Sequence, residues 1–235
     1  MIPKTIHYCW FGGKPLPGSV RKCIQSWKKM CPDYEIREWN ESNFDVQAHP
    51  FSKAAYEAGV WAFVSDYARL KIIYENGGIY LDTDVELRKN LDFLLNHSCY
   101  IGVQQVGFLC TTGLGFGAEK FSPLVRKMLD QYDENPFVPE KMRELACPYL
   151  NHRAVEGIGY VVSEEPVEID RVLILPPRYL DPVAPGKETR VLTCDDTVSI
   201  HHYSATWLGG KTALKRRIIR MIGQENVSKL KRILK

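Results

Sequence analysis

No stretch of this 235-residue chain approaches the roughly 18–20 consecutive apolar residues of a membrane-spanning helix. The opening residues, Met1-Ile2-Pro3-Lys4-Thr5-Ile6-His7, lack the apolar core of a secretory signal, which predicts a cytosolic chain. There is no C-x-x-C pair. The seven cysteines, at 9, 23, 31, 99, 110, 147 and 194, are odd in number and scattered, so neither a disulfide framework nor a zinc site is indicated. Reduced, mostly buried thiols are expected. Internal repeats and low-complexity linkers are also missing. What is present is ordinary: 45% hydrophobic, 25% charged and 11% aromatic residues exclude collagen-like, coiled-coil and wholly disordered chains. The length suits one domain, or one domain with an appendage, and can bury a core without disulfides or a structural metal.

The net charge of +3 hides an asymmetry. Residues 211–235 hold nine Lys/Arg and one acid, a net of +8, which leaves residues 1–210 with 22 bases, 27 acids and a net of −5. A mildly acidic body thus carries a basic tail, which points to an anionic partner. In the tail Leu214, Ile218, Met221 and Ile222 share one side, and Val227, Leu230 and Leu234 repeat the pattern after Gly223 among Lys229, Lys231 and Arg232. This is the pattern of a cationic amphipathic helix lying in a membrane interface, or of an ordinary terminal helix packed on the body.

The body alternates strand and helix patterns. Thr5–Phe11 is β-branched and aromatic and ends at Gly12-Gly13, which predicts a buried strand. A helix is expected from the N-cap Ser19 to Met30, and a strand over Tyr34–Trp39. Asn40 to Pro50 is polar. The best-defined helix runs from Val60 to Asn76, apolar on most sides, and stops at Gly77-Gly78. Ile79-Tyr80-Leu81 then reads as a short buried strand. Further strands are expected at Cys99–Val103, Leu114–Ala118, Val167–Leu175 and Val198–Tyr203, with a helix over Ser122–Tyr132. The alternation predicts an α/β fold with a mostly parallel sheet.

Three groups could carry chemistry. Asp82-Thr83-Asp84 directly follows the Ile79–Leu81 strand; in an extended segment its two carboxylates project from one side, about 7 Å apart. That is the sheet edge where open α/β sheets bind ligands. Paired carboxylates there call for a cation, and oxygen ligands select Mg²⁺ or Mn²⁺ over zinc, unless the acids are merely turn residues. Ser65, Asp66 and Arg69 form one polar face on an otherwise apolar helix, either a structural ion pair or the wall of a wet cleft. His201-His202-Tyr203-Ser204-Ala205-Thr206-Trp207 combines imidazoles that can complete a metal's coordination with an indole that can bond a diphosphate oxygen, or it is a strand end with satisfied rings.

These same blocks, Thr5–Gly13, Ser65-Asp66-Tyr67-Ala68-Arg69 through Glu75-Asn76-Gly77-Gly78-Ile79-Tyr80-Leu81-Asp82-Thr83-Asp84, and His201-His202 with Trp207, resemble the DXD-containing glycosyltransferases of family 32. The resemblance spans residues 1–207. It implies a GT-A (Rossmann-like nucleotide-diphospho-sugar transferase) fold over 1–210, followed by the basic tail 211–235. It also implies a nucleotide-sugar donor, Mn²⁺ or Mg²⁺, retention of anomeric configuration, and a place in bacterial capsular or lipopolysaccharide synthesis. By the same resemblance Tyr8, Trp10 and Phe11 line the nucleotide pocket, and Ser65, Asp66 and Arg69 hold the donor sugar. Asp82 touches the ribose or the metal, and Asp84 ligates the metal with His201 or His202 and Ser204. Trp207 contacts the diphosphate. Asp84, Asp82, Arg69 and Trp207 are the expected catalytic set. Thr111–Gly117 and Phe121-Ser122-Pro123, which depart from the family's Asn and His-Pro pattern, are expected to face the acceptor.

The expected reaction moves a hexose, galactose or N-acetylgalactosamine first, from a UDP-linked donor to a saccharide acceptor, with a lipid-linked one fitting the tail. The expected location is the cytoplasmic face of the cell membrane, reached through residues 212–235. The alternatives are a haloacid-dehalogenase-type phosphatase, with Asp195-Asp196 as its late acidic pair, and a basic-tailed nucleic-acid-binding protein. The first wants Thr or Val where Glu86 stands. The second lacks any recognition motif on a net-negative body, so no nucleic-acid partner is expected.

Overall fold

The computed structural model describes residues 1–186 and 188–204. Residue 187, Trp207 and the whole basic tail 211–235, with the domain boundary drawn there, lie outside the described residues.

Nine strands and six α-helices are described. In chain order they are β1 (Thr5–Cys9), α1 (Gly18–Met30), β2 (Glu35–Trp39), α2 (Pro50–Glu57), α3 (Trp61–Asn76), β3 (Gly78–Tyr80), β4 (Val85–Leu87), β5 (Cys99–Val103), β6 (Cys110–Ala118), α4 (Pro123–Glu134), α5 (Cys147–Glu156), β7 (Val167–Ile169), β8 (Val172–Leu175), α6 (Pro177–Leu180) and β9 (Ser199–His201). Seven strands form one sheet in the order β2-β1-β3-β6-β5-β8-β7, and β4 and β9 form a separate antiparallel pair.

The sheet is mixed rather than mostly parallel. β1 pairs in parallel with β2 and β3, and β5 with β8, whereas β6 runs antiparallel to both β3 and β5 and β7 antiparallel to β8. The cause is local: no crossover helix separates β5 from β6, so the chain turns straight back. The single strand expected over Val167–Leu175 is likewise a hairpin. Asp170 and Arg171 between its arms both take positive φ (48° and 63°), as the tightest hairpin turns require. α1 begins at Gly18 after Pro17, without a side-chain cap, so Ser19 is not its N-cap.

Apolar side chains pack against both sheet faces. On one side Phe51, Val64, Ile73, Phe116, Met128 and Leu150 bring α2, α3, α4 and α5 together; on the other Trp27, Ile79, Leu114, Leu175 and Leu180 join α1 and α6 to the sheet. α3 is apolar nearly all round because it is buried nearly all round. All seven cysteines are free and only Cys194 is exposed. Among the described residues no helix is long and apolar enough to cross a membrane.

Candidate active site

β3 lies in the middle of the sheet, its Ile79 opposite Ile6 of β1 and its Tyr80 opposite Phe116 of β6. Residues 82–84 leave its carboxyl end as a turn, not as the extended segment the spacing implied: the Val85 N–H donates to the Asp82 carbonyl at 2.9 Å. The turn folds the two carboxylates toward one another and delivers the chain into β4. There Val85 pairs with His201 of β9, and the His202 N–H bonds the Asp84 carbonyl at 2.9 Å. Residues 117 apart in sequence meet through this short ladder.

The result is a three-residue group. One ligand atom each from Asp82, Asp84 and His201 lie within 4.8 Å of one another. His201 Nε2 stands 3.0 Å from Asp84 Oδ1, and the Ser204 N–H donates to Asp84 Oδ2 at 2.6 Å. Burial alone would raise the Asp84 carboxyl, but His201 and the Ser204 N–H outweigh it and hold it down at about 2. Asp82 moves the other way, raised by burial and by Asp84 against the pull of Arg69. His201 would be lowered by burial, yet Asp84, Asp82 and Asp181 together raise it. Two carboxylates and an imidazole, concentrated and half enclosed, are a donor set that suits a divalent cation with oxygen-ligand preference.

The polar face of α3 abuts this group. Arg69 Nη2 lies 2.9 Å from Asp66 Oδ1 and 3.1 Å from Asp82 Oδ1, while Nε–H donates to the Ser65 carbonyl at 3.1 Å. Ser65 therefore enters through its backbone. Burial pushes Asp66 up to about 6, with Arg69 opposing and Asp82 adding to the rise.

Three further residues close the pocket wall, one of them, Gly113, from the segment expected to face the acceptor. The Tyr80 hydroxyl donates to Asp82 Oδ1 at 3.2 Å, and the Arg69 guanidinium sits 4.8 Å over the Tyr80 ring. Tyr80 and Asp82 are two apart, so their shared side was legible in principle. The bare backbone of Gly113 on β6 is the second: a Cβ there would lie 3.1 Å from Asp82 Oδ2 and 3.4 Å from Arg69 Nη1. Cys147, at the start of α5, places its thiol and backbone N–H against Asp66. Just beyond β1, Trp61 of α3 covers Gly12.

Other expected site residues do not converge. The imidazole of His202 is 2.9 Å from Glu86 Oε2 and is not part of the three-residue group. Tyr8 and Phe11 fall on opposite sheet faces. The Tyr8 hydroxyl donates to Glu38 at 2.6 Å, and Phe11 packs edge-on to Phe44. Trp10 Nε1–H bonds the Lys14 carbonyl. Of the segment expected to face the acceptor, Thr111 and Thr112 are buried, against Cys147 and Asn151 respectively, and Phe121 is exposed. The late acidic pair lies elsewhere: Asp196 joins Arg178 at 3.2 Å and the Asp195 carbonyl accepts from Lys89.

Comparison with known proteins agrees with this geometry. The family described as "Glycosyltransferase sugar-binding region containing DXD motif" matches residues 17–101. Residues 17–101, about a third of the chain, are thus similar to the DXD-containing sugar-binding region of glycosyltransferases. Inositol phosphoceramide mannosyltransferase 3 of Schizosaccharomyces pombe is 29% identical over 123 residues, 49% of this chain and 33% of that protein. The uncharacterized glycosyltransferase L373 of Acanthamoeba polyphaga mimivirus is 33% identical over 104 residues, 40% of each chain. The chain therefore spans about a third to two-fifths of the length of these relatives. The PaToxG glycosyltransferase shares the fold with a TM-score of 0.53 at 20% identity, covering 66% of this chain and 69% of that one. The architecture is GT-A.

Proposed function

We propose that this chain is a metal-dependent retaining glycosyltransferase that moves a hexose from a nucleoside-diphosphate sugar to a saccharide acceptor. The observation that carries the reading is the convergence of Asp82, Asp84 and His201 at the carboxyl end of β3, beside the buried Asp66–Arg69 pair. Mn²⁺ or Mg²⁺ held there supplies a Lewis acid for the charge that develops on a diphosphate leaving group. Asp84 and His201 are the main ligands and Asp82 the third. Arg69 orients Asp66 and Asp82 while its own charge balances theirs, and Asp66 accepts hydrogen bonds from donor-sugar hydroxyls. Tyr80 and Gly113 fix where Asp82 stands. With no carboxylate assigned as a nucleophile, the acceptor hydroxyl attacks from the face the nucleotide leaves. Trp207 and the nucleotide-pocket roles of Tyr8, Trp10 and Phe11 belong to the proposal through the family resemblance alone.

A UDP-linked galactose or N-acetylgalactosamine donor and a role in bacterial surface polysaccharide assembly complete the reading. The S. pombe relatives, named as mannosyltransferases, favour a second donor sugar, mannose. The basic tail supports attachment to an anionic membrane face on the cytoplasmic side, where a lipid-linked acceptor is concentrated. A panel of UDP- and GDP-sugars with Mn²⁺, scored by donor hydrolysis and thermal shift, tests this. One donor should be hydrolysed only with metal, and Asp84→Asn should abolish that turnover. Metal-independent turnover, or full activity in Asp84→Asn, contradicts the reading.

A further inference from the structure

Asp181, immediately after α6, is a carboxylate with no exposed surface and no role so far. One of its oxygens is fixed: Oδ2 accepts the Gln105 N–H at 2.8 Å. Gln105 is itself locked, donating through Nε2 to the carbonyls of Asp181 (2.8 Å) and Arg190 (3.0 Å) and accepting the Arg190 N–H at 2.9 Å. The other oxygen, Oδ1, is buried and has no hydrogen-bond partner among the described residues. A buried acceptor left without a donor is destabilising, more so when charged, so it calls for an explanation.

A second orphan faces the same region. His201 spends Nε2 on Asp84, while its Nδ1 is buried and likewise partnerless among the described residues. Tyr203 spans the two side chains: its ring centroid is 4.1 Å from that of His201, and its hydroxyl approaches the Asp181 carboxylate without meeting Oδ1 in hydrogen-bond geometry. Tyr203 holds this place at a positive φ of 49°, a conformation a non-glycine residue adopts only when its surroundings impose it.

An imidazole that gives one nitrogen to a cation carries its proton on the other, and that N–H needs an acceptor to set the ring's orientation. We propose that Asp181 is the positioning carboxylate of His201: when Nε2 turns from Asp84 Oδ1 to a cation, Nδ1–H closes on Asp181 Oδ1. Tyr203 packs against the ring from the side and limits its rotation. The α6–β9 connection and the end of β5 are thereby tied to the cation site through one buried carboxylate. This inference rests on the reading of Asp82, Asp84 and His201 as that site.

The test uses the full chain and Mn²⁺ alone, with binding followed by electron paramagnetic resonance. Asp181→Ala should bind Mn²⁺ about 10–100-fold more weakly than the native chain, and Asp84→Asn should show no specific binding. Native affinity in Asp181→Ala overturns the positioning role and leaves the cation site standing; native affinity in Asp84→Asn overturns the site itself. Should Asp181→Ala fail to fold, the native chain decides. Imidazole ¹H–¹⁵N spectra with Mg²⁺, His201 being assigned through His201→Gln, should show a protected Nδ1–H. An Nε2–H tautomer, or an Nδ1–H in rapid exchange with water, overturns the inference.

Discussion

Arg69 is the residue on which the charge balance of the pocket turns. It is enclosed between Asp66 and Asp82, with its side chain 4% exposed. Removing the guanidinium strands two carboxylates that burial already disfavours, and breaking a buried pair from one side costs about 3–5 kcal/mol. Arg69→Met should lose stability of that order in urea unfolding; a change below about 1 kcal/mol contradicts the balance described here. Gly113 makes the opposite kind of demand, for emptiness. In Gly113→Ala the new methyl meets Asp82 and Arg69 at 3.1 and 3.4 Å, so those side chains must shift. The predicted outcome is a donor KM raised several-fold with the melting temperature lowered by only a few degrees. Unchanged donor kinetics contradict it. At this scale the sequence was informative wherever charge interrupts apolar surroundings, as at Asp66, Arg69, Asp82 and Asp84. It gives no sign of Cys147 or Asp181, or of the approach of Gly113 to Asp82, because those partners lie tens of residues away. His202 shows the reverse: adjacent histidines look alike as letters, but the strand places one on Asp84 and the other on Glu86.

Elements show why some spacing survives in three dimensions and some does not. β1, α3 and β5 stand close to their expected bounds because each is a long or strongly apolar run with a clear stop signal. α2 and α5 leave little trace in the sequence because each holds only part of an apolar face, the rest being polar. The polarity of β6 depends on which neighbour it pairs with, which no local pattern encodes. β1 also carries a pH-sensitive joint. His7 accepts the Trp39 Nε1–H at Nδ1 (3.0 Å), so its proton sits on Nε2 and is donated to the Gly77 carbonyl at 3.1 Å. Gly78 beside it lacks the Cβ that would clash with Nε2 at 2.8 Å. A second ring proton would confront the Trp39 donor in a buried strand. Burial accordingly pushes His7 down to about 4 from its ordinary 6.5. As pH falls through 6.5 the unfolded chain takes up a proton that the native chain refuses. Stability then declines by about 1.4 kcal/mol per pH unit until about pH 4, roughly 3 kcal/mol in all. His201, raised by its carboxylates, acts oppositely: its contribution is present below pH 6.5 and lost as pH rises through its folded value. Denaturant titrations of the native chain and His7→Gln, compared from pH 7.5 to 4, isolate the His7 contribution. Parallel curves contradict it.

For the molecule as a whole, the acidic body and basic tail divide the proposed labour between chemistry and placement. Deleting residues 212–235 should release the protein from anionic vesicles while leaving donor hydrolysis intact, and 0.5 M salt should weaken attachment of the full chain because ionic attraction is screened. Sedimentation of the truncated form with vesicles contradicts the division. Both halves of the account depend on a cation at the meeting point of β3, β4 and β9. The most direct measurement is anomalous diffraction at the manganese edge from crystals of the full chain soaked with Mn²⁺ and UDP. The account predicts one strong peak in contact with Asp84 and His201, bridged to the diphosphate. A peak elsewhere, with nucleotide bound away from residues 82–84, contradicts it.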